Sequence, residues 1–189
     1  MDAFSCAACP RRCGALRKPA QPSGGFCGMP AGFVVARAAL HQWEEPCISG
    51  QHGSGTVFFS GCSLRCVYCQ NQQISLGRYG ALVTEENLLR MFDRLIEQGA
   101  HNLNLVNPTH YAPMLAKALK KYCSPVPVIY NSGGYERVEM LKALEGLVDI
   151  YLPDLKYVDS AVSLRYSGAA DYFDYASKAI LEMSRQVGK

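Results

Sequence analysis

Thr56-Val57-Phe58-Phe59-Ser60-Gly61-Cys62-Ser63-Leu64-Arg65-Cys66-Val67-Tyr68-Cys69 carries the fold and the chemistry of this chain in one short stretch. Its first part, Thr56 to Ser60, is an apolar run ended by Gly61, which predicts a buried strand. Cys62, Cys66 and Cys69 follow at the spacing C-x3-C-x2-C. Three thiolates on one tight loop can hold three irons of a 4Fe–4S cluster, because thiolate is the soft ligand such clusters take. The loop has no fourth cysteine at matching spacing, so the fourth iron would stay open to a small molecule. An open position separates a reactive metal site from a closed structural one. The bland alternatives are a zinc knuckle or three unrelated buried thiols. A three-cysteine zinc site without a fourth ligand is unusual for a structural role.

Downstream, strand and helix patterns alternate. Thr84 reads as an N-cap with Asn87 at the third helical position. Leu88, Leu89, Phe92, Leu95 and Ile96 then keep helical spacing up to Gly99 as the C′ residue. Leu103 to Val106 is a second strand and Tyr111 to Tyr122 a second helix. Val126 to Tyr130 is a third strand and Glu136 to Glu145 a third helix, ended by Gly146. Asp149 to Leu152 is a fourth strand, and Phe173 to Gln186 a fourth helix. This alternation predicts an α/β fold with a parallel sheet, about four βα units over residues 56–189. A complete eight-stranded barrel needs ~250 residues, more than the 189 present. In barrel-like α/β proteins the reactive groups lie on loops after the C-terminal ends of strands, and the cysteine triplet is on the first such loop.

Residues 1–55 have a different texture, rich in Cys, Gly and Pro, with room for a short strand or helix near Phe33 to Leu40. Such a segment buries little of its own surface and needs a metal or a neighbouring domain to order it. Cys6, Cys9, Cys13 and Cys27 form a second candidate ligand set, for zinc or a second iron–sulfur cluster, against free thiols as the alternative. Cys47 and Cys123 read as single buried thiols. The chain has nine cysteines, 49% hydrophobic and 19% charged residues and a net charge of +3. That composition is globular. Its basic runs do not exceed Arg17-Lys18 and Lys120-Lys121, which makes no case for nucleic acid. No apolar run approaches the ~20 residues of a membrane span, and Met1 to Cys6 lacks the regions of a signal peptide. The expected compartment is the cytoplasm, where clustered cysteines bind metal or do chemistry rather than form disulfides.

On the triplet, and on Tyr68 just before its third cysteine, the sequence resembles the radical S-adenosylmethionine (SAM) superfamily. Glu44 to Gly50, Gly53 to Cys62 and Cys69-Gln70-Asn71 are similar to an uncharacterised branch related to pyruvate formate-lyase activating enzyme. The resemblance implies a partial, TIM-like (βα) barrel, a 4Fe–4S cluster on Cys62, Cys66 and Cys69, and SAM as partner. It also implies an electron donor such as flavodoxin or ferredoxin and an oxidoreductase-like activity. SAM would be cleaved reductively to a 5′-deoxyadenosyl radical, which abstracts hydrogen from a substrate such as a protein glycine. The rival readings are a non-catalytic iron–sulfur or electron-transfer module and a radical SAM enzyme acting on an unrelated substrate.

The same resemblance implies roles at the strand ends. The family usually has Gly-Gly-Glu after the second strand, to meet the SAM ammonium. Here Asn107 and Thr109 stand there, and their side-chain oxygens can accept from an ammonium; the alternative is a plain turn. Asn131 and Ser132 would contact ribose hydroxyls or the methionyl group, with Tyr68 also beside the cofactor. Asp154 and Lys156, at i and i+2 on an extended segment, point the same way, and Lys156 would lie at the active site beside the SAM carboxylate. A surface ion pair is the alternative for them. His110 is a minor candidate for the cavity lining. Cores of this kind usually have six βα units. The length therefore reads as the front two-thirds of a larger protein, truncated at its C-terminus, with the fourth strand as a bare edge.

Overall fold

Residues 2–188 are described by a computed structural model; Met1 and Lys189, the outer limits of the two segments above, lie outside the described residues. β1 (Phe4–Ser5) and β2 (Leu16–Arg17) form a short antiparallel ladder. β3 (Phe33–His41) is a nine-residue strand, more regular than the strand or helix expected near Phe33 to Leu40. After α1 (Pro46–Ser49), β4 (Ser54–Phe59) runs antiparallel to β3, with a bulge between Val35 and Arg37. α2 (Gln72–Ser75) and β5 (Ala81–Val83) follow, and β5 pairs with the start of β3. The main sheet therefore takes one strand that periodicity did not locate, β5, and one inside the cysteine-rich stretch, β3, that it left open between strand and helix.

The remaining elements alternate as the hydrophobic pattern requires. They are α3 (Glu85–Glu97), β6 (Leu103–Val106), a 3₁₀ turn at Thr109–Tyr111, α4 (Ala112–Leu119), β7 (Val128–Ser132), α5 (Val138–Lys142), β8 (Ile150–Pro153), α6 (Ser160–Ser167) and α7 (Tyr172–Val187). The sheet order is β5-β3-β4-β6-β7-β8, with β4, β6, β7 and β8 mutually parallel. That is a mixed α/β sheet with a parallel run of four strands, and it ends at β8 on one side.

α3 begins where its cap predicts. The Thr84 side chain accepts from Asn87 N–H, and Leu88, Phe92 and Leu95 are buried against the sheet. One apolar core joins these residues to Val57, Phe59, Leu103, Leu105, Tyr130, Leu115, Leu141 and Met183. Burying each such side chain is worth roughly 1.5–3 kcal/mol.

Two helices depart from the expected spans, and a third, α6, had none. α4 starts only after the 3₁₀ turn and stops at Leu119, short of Tyr122. α5 is a short piece of the span expected from Glu136 to Glu145. Glu136 is drawn out of it because its carboxylate is buried and bonded to Thr109 and Tyr130. α6 has no apolar stripe, but its ends carry signals: Asp159 accepts from Ala161 and Val162 N–H at 2.7 and 3.0 Å, and Gly168 closes it at φ 59°. Cys47 and Cys123 are exposed rather than buried. One lies on the first turn of α1 and the other in the polar turn after α4. No helix among the described residues is long and apolar enough to cross a membrane.

Candidate metal and cofactor site

β4 delivers the chain to the mouth of the sheet, where Ser60 O accepts from His110 Nε2 at 2.8 Å and from Tyr111 Oη at 3.2 Å. Gly61, at φ 80°, turns the chain into the cysteine loop. A Cβ there would come within 2.6 Å of Met29 and 3.0 Å of the Cys27 carbonyl. Only glycine fits so close an approach in that conformation.

The loop is held from three directions. Leu64 N–H donates to Cys62 Sγ at 3.3 Å, and Val67 N–H donates to Tyr166 O at 2.9 Å. Ser167, at the end of α6, donates its hydroxyl to Cys66 Sγ at 2.9 Å and also meets Tyr157 Oη at 2.6 Å. Tyr68 Oη donates to Tyr157 Oη at 2.6 Å. Arg11 donates through Nε to Ser63 O at 2.8 Å and through Nη2 to Ser167 O at 2.6 Å. Burial pushes the Cys62 thiol up, against the backbone amides of Arg65 and Leu64, which favour its thiolate.

The three cysteines open on a cavity of about 660 Å³, within the range of small-molecule sites. Tyr68, Asn107, Thr109, Asn131, Ser132, Asp154 and Lys156 line the same cavity. The ends of β4, β6, β7 and β8 thus bring every one of these sequence-predicted residues to one place. Asn107 is left-handed at φ 60° and donates its side-chain amide to Gly61 O. Thr109 gives its hydroxyl proton to Glu136, which leaves its oxygen as an acceptor. Lys156 Nζ lies 2.6 Å from Asp154 Oδ2. Burial pulls its ammonium down, but the hydrogen bond and charge of Asp154 outweigh this, so its pKa is raised.

His110 does not line the cavity. It is fully enclosed and held neutral, pulled to about 3 by burial and then by the charge of Arg17. Its role is to hold Ser60.

Two carboxylates escaped the sequence reading. Glu44 enters the cavity from the loop after β3, where Asn131 Nδ2 donates to its Oε2 at 3.5 Å. Burial raises its pKa, opposed by the charge of His41. Nothing local marks Glu44; the loop that carries it is set by Glu44 N–H donating to Ser49 Oγ at 3.0 Å. Glu136 lies fully buried behind Thr109, its pKa raised to about 7 by burial against the hydrogen bonds it accepts.

The donor set fits a thiolate-held cluster with a charged, polar ligand above it. All three thiols are free, and acceptors and a cation share their cavity. The Asn104 side chain, buried on β6, faces the Glu44 carboxylate and favours its charged form against burial. Among the described residues, no three His, Cys, Asp or Glu side chains converge on a point suited to a single metal ion.

The second cysteine set is also drawn together. Cys6, Cys9 and Cys27 are buried and Cys13 is exposed, all as free thiols. Burial pushes Cys9 up to about 12, with Cys27, Cys6 and Cys13 adding to the rise.

The Radical SAM superfamily matches residues 56–187. An uncharacterised protein of Methanocaldococcus jannaschii is 30% identical over 178 residues, which cover 90% of this chain and 51% of that protein. The chain therefore spans about half the length of this curated relative.

Proposed function

The chain belongs to the radical SAM superfamily, and from that premise we propose that Cys62, Cys66 and Cys69 hold its 4Fe–4S cluster and that SAM binds in the cavity above them. When bound, the cluster supplies one electron to the SAM sulfonium and so a 5′-deoxyadenosyl radical for hydrogen abstraction. The observation that carries this reading is the opening of three free thiols onto the cavity that the ends of four strands line with polar side chains.

This chain's residues then bind and orient. Glu44 supplies the carboxylate that the stretch after β6 lacks, and with Thr109 and Asn107 it accepts from the SAM ammonium. Lys156 pairs with the SAM carboxylate, kept protonated by Asp154. Asn131 and Ser132 take the ribose or methionyl side, and Tyr68 walls the loop. Ser167 keeps its hydroxyl on Cys66 and so stabilises negative charge on that sulfur. The substrate side is read as hydrogen abstraction of the glycyl-radical-enzyme activating type, from a protein glycine or a related group. A cytoplasmic flavodoxin or ferredoxin is the reading for the electron donor.

The test is anaerobic reconstitution with iron and sulfide, reduction with dithionite and addition of SAM. The expected product is 5′-deoxyadenosine. A protein with its cluster loaded and no such product would sink the enzymatic reading and leave the non-catalytic one.

A further inference from the structure

Cys6, Cys9, Cys13 and Cys27 take no part in that chemistry, yet the fold brings them together. The β1–β2 ladder and the Cys6 N–H bond to Ala15 O at 3.0 Å return the chain over the loop that holds Cys9 and Cys13. A second tight loop, closed by Gly28 N–H on Gly25 O at 2.9 Å, presents Cys27. A Cβ added at Gly25 would meet Cys13 Sγ at 3.1 Å, so the two loops touch at the sulfur.

Backbone amides are aimed at these sulfurs. Cys9 faces the amide of Arg11, Cys13 those of Ala15 and Phe26, and Cys27 that of Met29. In each case one of these amides belongs to the residue two positions on from the cysteine. The same pattern occurs in the triplet loop, where Leu64 donates to Cys62. Amide donors stabilise a thiolate more than a neutral thiol, and here they oppose the burial that raises Cys9 and Cys27.

An independent observation is Arg17. It is 1% exposed, and its Nη2 lies 3.4 Å from Cys27 Sγ. Its guanidinium carbon lies 5.8 Å from the Tyr111 ring centroid and 5.9 Å from that of Phe4. Its Nη1 has no partner, and it joins no ion pair among the described residues. A buried guanidinium without an anion is strongly unfavourable. Four thiolates around a 4Fe–4S core carry a net charge of about −2, which supplies that anion beside the guanidinium.

We propose that Cys6, Cys9, Cys13 and Cys27 hold a second 4Fe–4S cluster, fully ligated by protein, with Arg17 as its buried counter-charge. A single zinc ion on the same four thiolates would carry the same net charge, and the iron and sulfide count below separates the two. With all four irons taken, this cluster has no open position and holds or passes an electron rather than binding SAM. The loops that would hold it adjoin the triplet loop, since the Cys27 carbonyl abuts Gly61 and Arg11 reaches Ser63 O.

The test is a count of iron and acid-labile sulfide after anaerobic reconstitution in the presence of both iron and zinc. Wild type is expected to hold about eight irons and eight sulfides, and the Cys62→Ala/Cys66→Ala/Cys69→Ala variant about four of each. In that variant the paramagnetic resonance spectrum after dithionite should not change when SAM is added. In the same background, Arg17→Met should keep the iron and lower the midpoint potential, because it removes a positive charge beside the cluster. Wild type saturating at about four irons, all lost with the triplet, would overturn the proposal. So would zinc retained by the N-terminal cysteines. An unchanged potential in Arg17→Met would remove Arg17 from the assignment. The wild-type count decides the second cluster even if a variant misfolds, and it does not depend on SAM cleavage.

Discussion

Glu136→Gln should make the metal-free chain more stable at neutral and alkaline pH. Glu136 is completely buried. Its Oε1 accepts from Thr109, and its Oε2 accepts from Tyr130 Oη at 3.2 Å. No cation pairs with it among the described residues. Burial therefore dominates and lifts its pKa from 4.5 to about 7. Between those values the folded chain holds a proton that the unfolded chain has released, so stability falls as pH rises through the window and is flat above it. At about 1.4 kcal/mol for each tenfold change, the full loss is about 3 kcal/mol.

Gln keeps the size and the acceptor, and its amide can donate to Tyr130, but it carries no charge at any pH. Urea unfolding of both chains, reduced and anaerobic, reads the effect as a difference in which other titrating groups cancel. The advantage of Glu136→Gln should grow by about 2.5 kcal/mol from about pH 5 to about pH 8. A difference that does not change with pH would refute the reasoning. So would a Gln variant that is the less stable chain at about pH 8, which would mean a paired, ionised carboxylate.

Ser167→Ala removes the hydroxyl from Cys66 Sγ, held at 2.9 Å. The triplet should still load its cluster, with a lower midpoint potential by spectroelectrochemistry, because hydrogen bonds to sulfur favour the reduced state. Glu44→Gln should weaken SAM binding by about tenfold, the worth of one charge-assisted hydrogen bond of ~1.5 kcal/mol. Trp43 is the sole tryptophan and lines the same cavity, so its fluorescence reports binding; an unchanged affinity would remove Glu44 from the site. Phe92→Ala, at a fully buried position of α3 beside Tyr122, should cost about 3–5 kcal/mol in urea unfolding through the cavity it leaves.

What the sequence determined by itself was local. The Cys62 loop could be read because ligand spacing on one tight turn is a property of adjacent residues. α3 could be read because its cap, apolar stripe and final glycine lie within one element. The parallel order of β4, β6, β7 and β8 followed from alternation, since parallel neighbours need a crossover between them. β3 stayed obscure because a strand is completed by its partners, and β4 and β5 supply them from far along the chain. Arg17 in the pair Arg17-Lys18 looks like surface charge, yet it is buried between Phe4, Tyr111 and Cys27. Glu44 and Glu136 likewise carry no local mark. Only the tertiary structure made one of them part of the cavity wall and the other a buried brace, because both roles depend on side chains gathered from distant segments, and desolvation there sets the charge each can hold.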